Sequence, residues 1–407
     1  MHGSRGRVGL GLLAILGGTA AHAQSAPLMQ GIFQDHAVLQ RDRPIEVWGH
    51  AGNGEEITVS IAASTARARA DGSGRWSVTL PAMSAGGPFV LTAQGGSGSR
   101  QAARDILVGD VFLCSGQSNM ELPVRRAGDT DSEIRDSRND TIRMLNMEHA
   151  SSLTPQTEFT GSMVWQSAAP ETVPAWSAAC FFFGRELQKT VRVPVGLVNA
   201  SWGGSNIRPW MSAAALHANG GYESALGLLA LYGKDPAAAQ AQLGREWEAW
   251  WRGKSGERVG EEPWSVGGRP ASGTWRPAPA ELGDWRYWGV AELKDFQGLL
   301  WYRTHIKLSA AEAQAATRID LGAINQVDET WINGRVIGNT FGYNADRSYN
   351  ISPGVFHAGD NVLVINALSN YGSGGMLQGG ARRALQLADG KSIPLDGPWE
   401  YRIAPSS

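Results

Sequence analysis

The run Val111-Phe-Leu-Cys-Ser-Gly-Gln-Ser-Asn-Met120 constrains this chain more than any other stretch. Its first residues are apolar or small, as in a buried strand of a parallel sheet. Gly116 then breaks the run, and Ser118 stands in a polar turn. In open α/β sheets, reactive groups gather just beyond the carboxyl ends of the strands. A serine on a tight turn after such a strand is how an α/β hydrolase displays its nucleophile. A helix beginning near Asn119 would also aim N–H groups at a bound oxyanion. The pentapeptide Gly116-Gln-Ser-Asn-Met120 is not G-x-S-x-G, so the ordinary nucleophile elbow is not matched. The local pattern leaves two readings open, a catalytic serine and an ordinary serine in a turn.

A second loop follows the same logic. Asn199-Ala-Ser-Trp-Gly-Gly-Ser-Asn206 comes directly after the apolar strand expected at Pro194–Val198. Paired glycines there let backbone N–H groups approach a ligand, or simply turn the chain. Between the two loops, Ala178–Thr190 has helical spacing, with Phe181, Phe182, Phe183 and Leu187 expected on a buried side. Strand, turn, helix, strand is the pattern of a parallel α/β sheet.

The flanking segments read differently. Ile45–Trp48, Glu56–Ile61, Arg75–Leu80 and Phe89–Ala93 alternate in polarity between Gly-rich turns, as strands of a small sandwich do. Ala237–Trp251 reads as an amphipathic helix with Trp247, Trp250 and Trp251 clustered. Residues 256–290 are rich in Gly, Pro and Trp and read as loop. Strands return at Leu299–Arg303, Thr317–Leu321, Glu329–Ile332 and Val362–Ile365. Asn333-Gly334 is the type I′ hairpin pair, and Gly359–Asn361 reads as a further turn. The expected division is a signal peptide over 1–23, an N-terminal β-sandwich over 24–105, and the first part of an α/β domain over 106–215. A helical and loop spacer over 216–290, a jelly-roll-like sandwich over 291–390 and a return to the α/β domain over 391–407 follow.

Composition sets further bounds. A net charge of −2 gives no electrostatic case for nucleic acid or an anionic membrane. Arg5 and Arg7, the short apolar run Val8–Ala20 and Ala21-His-Ala23 read as a secretory signal, with Gln24 the expected mature start. Export to a periplasmic or extracellular space is expected. There an oxidising milieu permits a disulfide between the two cysteines, Cys114 and Cys180, although both sit in apolar segments as buried thiols also do. No Cys/His/Asp/Glu spacing suits a metal, and no phosphate-binding glycine motif occurs, so neither metal nor cofactor is expected. The 16 tryptophans are core or sugar-stacking faces, and Trp301, Trp331, Tyr343 and Tyr349 are the candidates for stacking.

Taken together, Gly109–Met120, Phe183-Gly-Arg-Glu-Leu187 and Val195–Ser205 resemble the sialate O-acetylesterase family, a branch of the SGNH/GDSL hydrolases. Gly31–Arg41 is similar to that family's opening strands. Trp301-Tyr-Arg303, Leu321-Gly322, Asp328–Gly334 and Arg347-Ser-Tyr349 are similar to the sandwich inserted in its catalytic domain. The resemblance implies an SGNH-type parallel-sheet domain, with Ser118 as nucleophile and its N–H as one oxyanion donor. Gly204 matches the second donor position, with Gly203 beside it. The substrate would be an acetylated carbohydrate. The family's later Gly-Glu-Ser-Asn block and its Asp-x-x-His or Asp-x-His block do not occur here. The expectation is therefore an esterase chain lacking the C-terminal part of its catalytic domain and turning over weakly, with His149 the first histidine to test. The alternative is a non-catalytic carbohydrate-binding protein built from β-sandwich modules. A lipase-like esterase is a third reading, with no apolar lid evident to support it.

Overall fold

The computed structural model describes residues 27–159, 161–267, 275–343, 345–372, 374–377 and 382–404. The expected signal peptide lies outside them. The chain forms two compact units, residues 1–212 and 213–407. Among the described residues no helix is long and apolar enough to cross a membrane.

In the first unit, strands β1 (Val38–Gln40), β2 (Ile45–His50), β3 (Glu56–Ile61), β4 (Ser64–Arg69), β5 (Arg75–Leu80) and β6 (Gly86–Gly95) precede the long strand β7 (Arg100–Gly116). Alternation produces these strands: β5 buries every second residue, Trp76, Val78 and Leu80. β7 then pairs antiparallel with β6 along its first half and parallel with another strand along its second. One strand thus runs through the expected boundary at 105/106, and no linker separates the two regions.

Helices α1 (Ser118–Glu121) and α2 (Thr130–Arg135) lead to β8 (Asn139–Asn146) and β9 (Trp165–Ala168). Helix α3 (Ala178–Val191) then returns the chain to β10 (Val195–Ser201). The mixed sheet has the order β4-β3-β6-β7-β10-β8-β9, with β1 paired to β7 and β10 parallel to both neighbours. On one face Cys114, Ile142, Met144, Val195 and Leu197 meet Ala178, Cys180 and Phe181 of α3. Residues one step along the strands, Val111, Leu145 and Val198, turn to the opposite face and join the core of the N-terminal strands. This is an SGNH-like α/β arrangement beside β-rich regions. The phenylalanine expectation needs correction: Phe181 is buried, but Phe183 is 46 % exposed. Successive helical residues are about 100° apart, so three in a row cannot share a face. Gly184 is what approaches the sheet instead, against Leu197.

Cys114 and Cys180 form a disulfide, which decides a question the sequence left open. It ties the end of β7 to α3. After the turn, Ser177 Oγ donates to Met120 O and Ala178 N–H to Leu122 O at 2.8 Å. The segment carrying Ser118 is therefore held to α3 on both sides.

The second unit opens with α4 (Ala213–Asn219), α5 (Glu223–Tyr232) and α6 (Pro236–Ser255). Short strands β11 (Arg276–Pro277) and β12 (Gly283–Asp284) precede β13 (Gly298–Leu308), α7 (Ala310–Ala315), β14 (Ala316–Asn325), β15 (Val327–Ile332) and β16 (Arg335–Phe341). Strands β17 (Asp346–Asn350), β18 (Gly359–Ser369), β19 (Gly375–Met376), β20 (Ala384–Leu387), β21 (Ser392–Pro394) and β22 (Trp399–Ile403) complete it. One six-stranded sheet has the order β11-β22-β13-β18-β15-β16, and a second joins β12, β19, β14, β20 and β21, with β17 on β14. Leu300, Tyr302 and Ile365 of the first sheet share one core with Ile319, Leu321 and Leu385 of the second. The I′ hairpin forms as expected, with φ positive at both Asn333 and Gly334. Gly359–Asn361 instead begins β18, and Asn361 is buried, accepting from the His357 N–H. Residues 392–394 and 399–403 pair with β20 and β13 respectively.

Three of the four aromatic candidates for sugar stacking, Trp301, Trp331 and Tyr349, are buried. Trp264, from the segment expected to be loop, stacks on Trp331 at 5.1 Å, and Trp251 of α6 meets Trp301 edge-on. Tryptophan here is core, which removes the main support for a purely carbohydrate-binding module.

Beneath this layer Glu329 is 2 % exposed. Burial, with Asp328 and Glu248 nearby, pushes its pKa up to about 9. The folded value exceeds the unfolded one, so the fold carries a neutral carboxyl. Its contribution is full below the unfolded value and is lost as pH rises towards about 9. Glu329→Gln is expected to melt higher than wild type at alkaline pH and to flatten the loss of stability above neutrality. Parallel pH profiles for the two proteins would contradict this.

Candidate active site

β7 and β10 are parallel neighbours in register, Gly116 opposite Ser201. Their carboxyl ends therefore deliver Ser118 and the 202–204 turn to one place. Trp202 N–H donates to Gly116 O at 2.8 Å, extending the ladder one step. Gly116 has φ 144°, a conformation side-chain-bearing residues rarely adopt, and this lets the chain leave the sheet.

Ser118 is exposed and begins α1. The expected helix N-terminus is only one turn long, and most of its N–H groups are taken. Met120 and Glu121 N–H donate to Gln117 O, and Ser118 N–H donates to Gln117 Oε1 at 2.9 Å. The Ser118 hydroxyl donates to the same Oε1 at 2.7 Å. The Gln117 carboxamide therefore occupies the position facing both the hydroxyl and the N–H of Ser118.

Gly203 comes close to the serine: a Cβ added to it would lie 3.6 Å from Ser118 Cα and 2.3 Å from Glu121 Oε2. A side chain there would displace the Glu121 carboxylate. Its N–H donates to Glu121 Oε2 at 2.7 Å. Gly204, with φ 78°, is exposed, and among the described residues its N–H has no hydrogen-bond acceptor. Of the two glycines, Gly204 is thus the one free to donate to a ligand.

Two further residues complete the cluster: Glu121, which the sequence had not marked, and His149, the histidine named for testing. Glu121, one helical turn from Ser118, reaches His149 Nε2 with Oε1 at 3.2 Å while holding Gly203 with Oε2. His149 lies parallel on the Trp202 indole, ring centroids 4.4 Å apart, with Nε2 3.0 Å from Ser201 O. Behind them Asn199 Nδ2 donates to Asn146 Oδ1 and Ser201 Oγ to Asn199 Oδ1. The spacing Ser118-x-x-Glu121 was a usable signal for one shared helix face. His149, in a polar segment without periodicity, stood out only because the later histidines fall in the spacer and the expected sandwich. His217, His305 and His357 belong to the second unit. Among the described residues no group of His, Cys, Asp and Glu could hold a metal ion.

Glu121→Ala removes the acceptor from Gly203. A lost bond to a carboxylate costs about 1.5–3 kcal/mol, so the Gly203 amide is expected to exchange with solvent about ten- to a hundredfold faster. An unchanged exchange rate would show that Glu121 does not hold this turn.

Residues 108–234 match the model of a family described as carbohydrate esterase, sialic acid-specific acetylesterase. The sialate O-acetylesterase of Rattus norvegicus is 30 % identical over 230 residues, 52 % of this chain and 42 % of that protein. The human sialate O-acetylesterase is 30 % identical over 193 residues, 43 % of this chain and 36 % of that protein. A crystal structure of a carbohydrate acetylesterase from Xanthomonas citri aligns with 41 % identity and a TM-score of 0.45, covering 46 % of this chain and 43 % of that one. The fold and the matched region define a carbohydrate esterase class of protein. Within it, the matched region is that of the sialate O-acetylesterase family. It spans about two-fifths of the length of the curated relatives it matches.

Proposed function

We propose that this chain is a carbohydrate O-acetylesterase with Ser118 as its nucleophile. One observation carries the reading: Ser118 and the Gly203-Gly204 turn end adjacent parallel strands inside the matched segment. Ser118 Oγ attacks the acetyl carbonyl carbon and passes its proton to solvent water, which returns one to the departing sugar oxygen. The carbonyl oxygen takes the electron pair and receives the Gly204 N–H. The Ser118 N–H joins it once the Gln117 side chain swings away. Collapse expels the sugar hydroxyl with a proton, leaving an acetyl ester on Ser118. Water then releases acetate and restores the serine.

Removal of the Ser118 proton is the slow step. Ser118 Oγ donates to an amide oxygen, which is too weak a base to accept it at neutral pH. An unactivated serine is a poor nucleophile, so slow turnover is expected of this chain. His149, linked to the Ser118 helix through Glu121, is the histidine to replace if turnover proves fast. The same reading assigns the N-terminal strands to a β-sandwich and the second unit to a jelly-roll-like insert. It also places the protein in an exported compartment, where the Cys114–Cys180 bond persists. Acetate release from O-acetylated N-acetylneuraminate and from acetylated xylan tests the activity. Release above the spontaneous rate from either supports it, and none from both would remove it.

A further inference from the structure

The second unit contains a cleft of 690 Å³ whose lining includes Leu282, Gly322, Arg382, Arg383, Gly397 and Trp399. Its volume is in the range of small-molecule sites. The decisive feature is the charge of Arg383. This side chain is half-buried. Its Nη2 donates to Met376 O at 2.7 Å and Leu377 O at 3.2 Å, and its buried Nε has no partner. No carboxylate pairs with it among the described residues. The remaining residues of this unit include no Asp or Glu.

Comparison within the unit makes this an exception. Each of the other buried or half-buried arginines described there holds a carboxylate: Arg252 with Glu262, Arg286 with Asp284, Arg303 with Glu400, Arg347 with Asp328, and Arg402 with Glu257. A guanidinium does not discharge by losing its proton. Removing it from water without a counter-ion is costly, and burial does push the Arg383 pKa down. Arg382 also lines the cleft and is balanced by Asp396 at 2.6 Å, so the lining keeps one net positive charge. With both Nη2 hydrogens on backbone carbonyls and Nε buried, Nη1 is the group left to donate a charge-assisted bond to a carboxylate.

We propose that this cleft binds the carboxylate of an acidic sugar, with Arg383 as the receiving cation. The charge argument asks only for a carboxylate. The choice of a sugar rests on the esterase reading above.

The test is calorimetric titration of the full chain with N-acetylneuraminate and with its methyl ester. The free acid is expected to bind at least about tenfold more tightly, and Arg383→Gln to remove that preference by a similar factor. Arg258→Gln, an exposed position outside the cleft, should leave binding unchanged. Ser118→Ala should also bind as wild type, so failure of the esterase reading and failure of this one are separable. If Arg383→Gln does not fold, Arg383→Lys keeps the charge but loses the two carbonyl bonds that aim it, and should still weaken binding of the free acid. Glucuronate binding with the same dependence on Arg383 would support a carboxylate cleft. Equal affinity for acid and ester, undiminished binding in a folded Arg383 variant, or acetate binding as tightly as the sugar acids would overturn the proposal.

Discussion

Hydrolysis of p-nitrophenyl acetate is expected to fall to the spontaneous background in Ser118→Ala. The side chain is exposed at the end of β7 and makes no hydrogen bond that the fold needs beyond its own neighbour Gln117. The substitution should therefore leave the melting temperature nearly unchanged. Losing the nucleophile typically costs far more than losing a positioning contact, because the oxyanion donors that remain supply only a residue of the rate. For a chain whose serine lacks a strong base, a loss of at least about a hundredfold is the expected size. A rate that survives the substitution would point to another nucleophile. Gln117→Ala is the companion variant. It frees both the hydroxyl and the N–H of Ser118, so it separates a carboxamide that blocks the site from one that assists it.

The second large effect belongs to stability. Arg347 and Asp328 are both fully buried and joined at 2.7 Å through Nε. Arg347 Nη2 also donates to Gln326 O at 3.1 Å, tying β17 to the start of β15. Asp328 accepts from the Thr330 hydroxyl at 2.9 Å and the Tyr349 hydroxyl at 2.7 Å. Arg347→Met leaves the carboxylate in the core without its cation. Breaking a buried pair from one side costs about 3–5 kcal/mol. Urea unfolding should register that loss in the second unit. A change below about 1 kcal/mol would mean that the pair is worth no more than a surface contact.

Much of the fold was legible because its cause is periodic. β3 and β5 have the bounds that alternation assigned, and α3 and α6 lie within a few residues of theirs. β4 escaped because Ser64-Thr-Ala-Arg-Ala-Arg69 has no large apolar residue to mark a buried face, and every second position stays exposed. The reach of β7 was missed for a related reason. Arg100-Gln-Ala-Ala103 has no large apolar residue to mark a strand, yet it pairs residue by residue with β6. The segment after residue 256 read as loop from its Gly and Pro content, while Trp264 and Trp285 within it are buried. Composition describes backbone freedom there, and says nothing of where a tryptophan finds its partner.

The candidate site divides the same way. A strand, a glycine and a serine are local, so Ser118 could be singled out, and the Gly203-Gly204 turn likewise. The link from Glu121 to His149 and Gly203 is a product of three-dimensional proximity across β7, β10 and the loop after β8. The disulfide was open for the same reason, because cysteine spacing in sequence does not give Cβ geometry. Gln117 is the instructive case. It read as one polar residue in a turn, and its carboxamide proves to be the group that holds the Ser118 hydroxyl.

Turnover by this route requires that Ser118 become acetylated. Incubation with p-nitrophenyl acetate, acid quenching and tandem mass spectrometry of the tryptic peptide Asp105–Arg125 tests it directly, because that peptide also contains Ser115 as an internal control. One acetyl group is expected on Ser118, absent from the Ser118→Ala protein. Acetate release without acetyl at Ser118, or an acetyl group on Ser115 or elsewhere that turns over at the same rate, would contradict it.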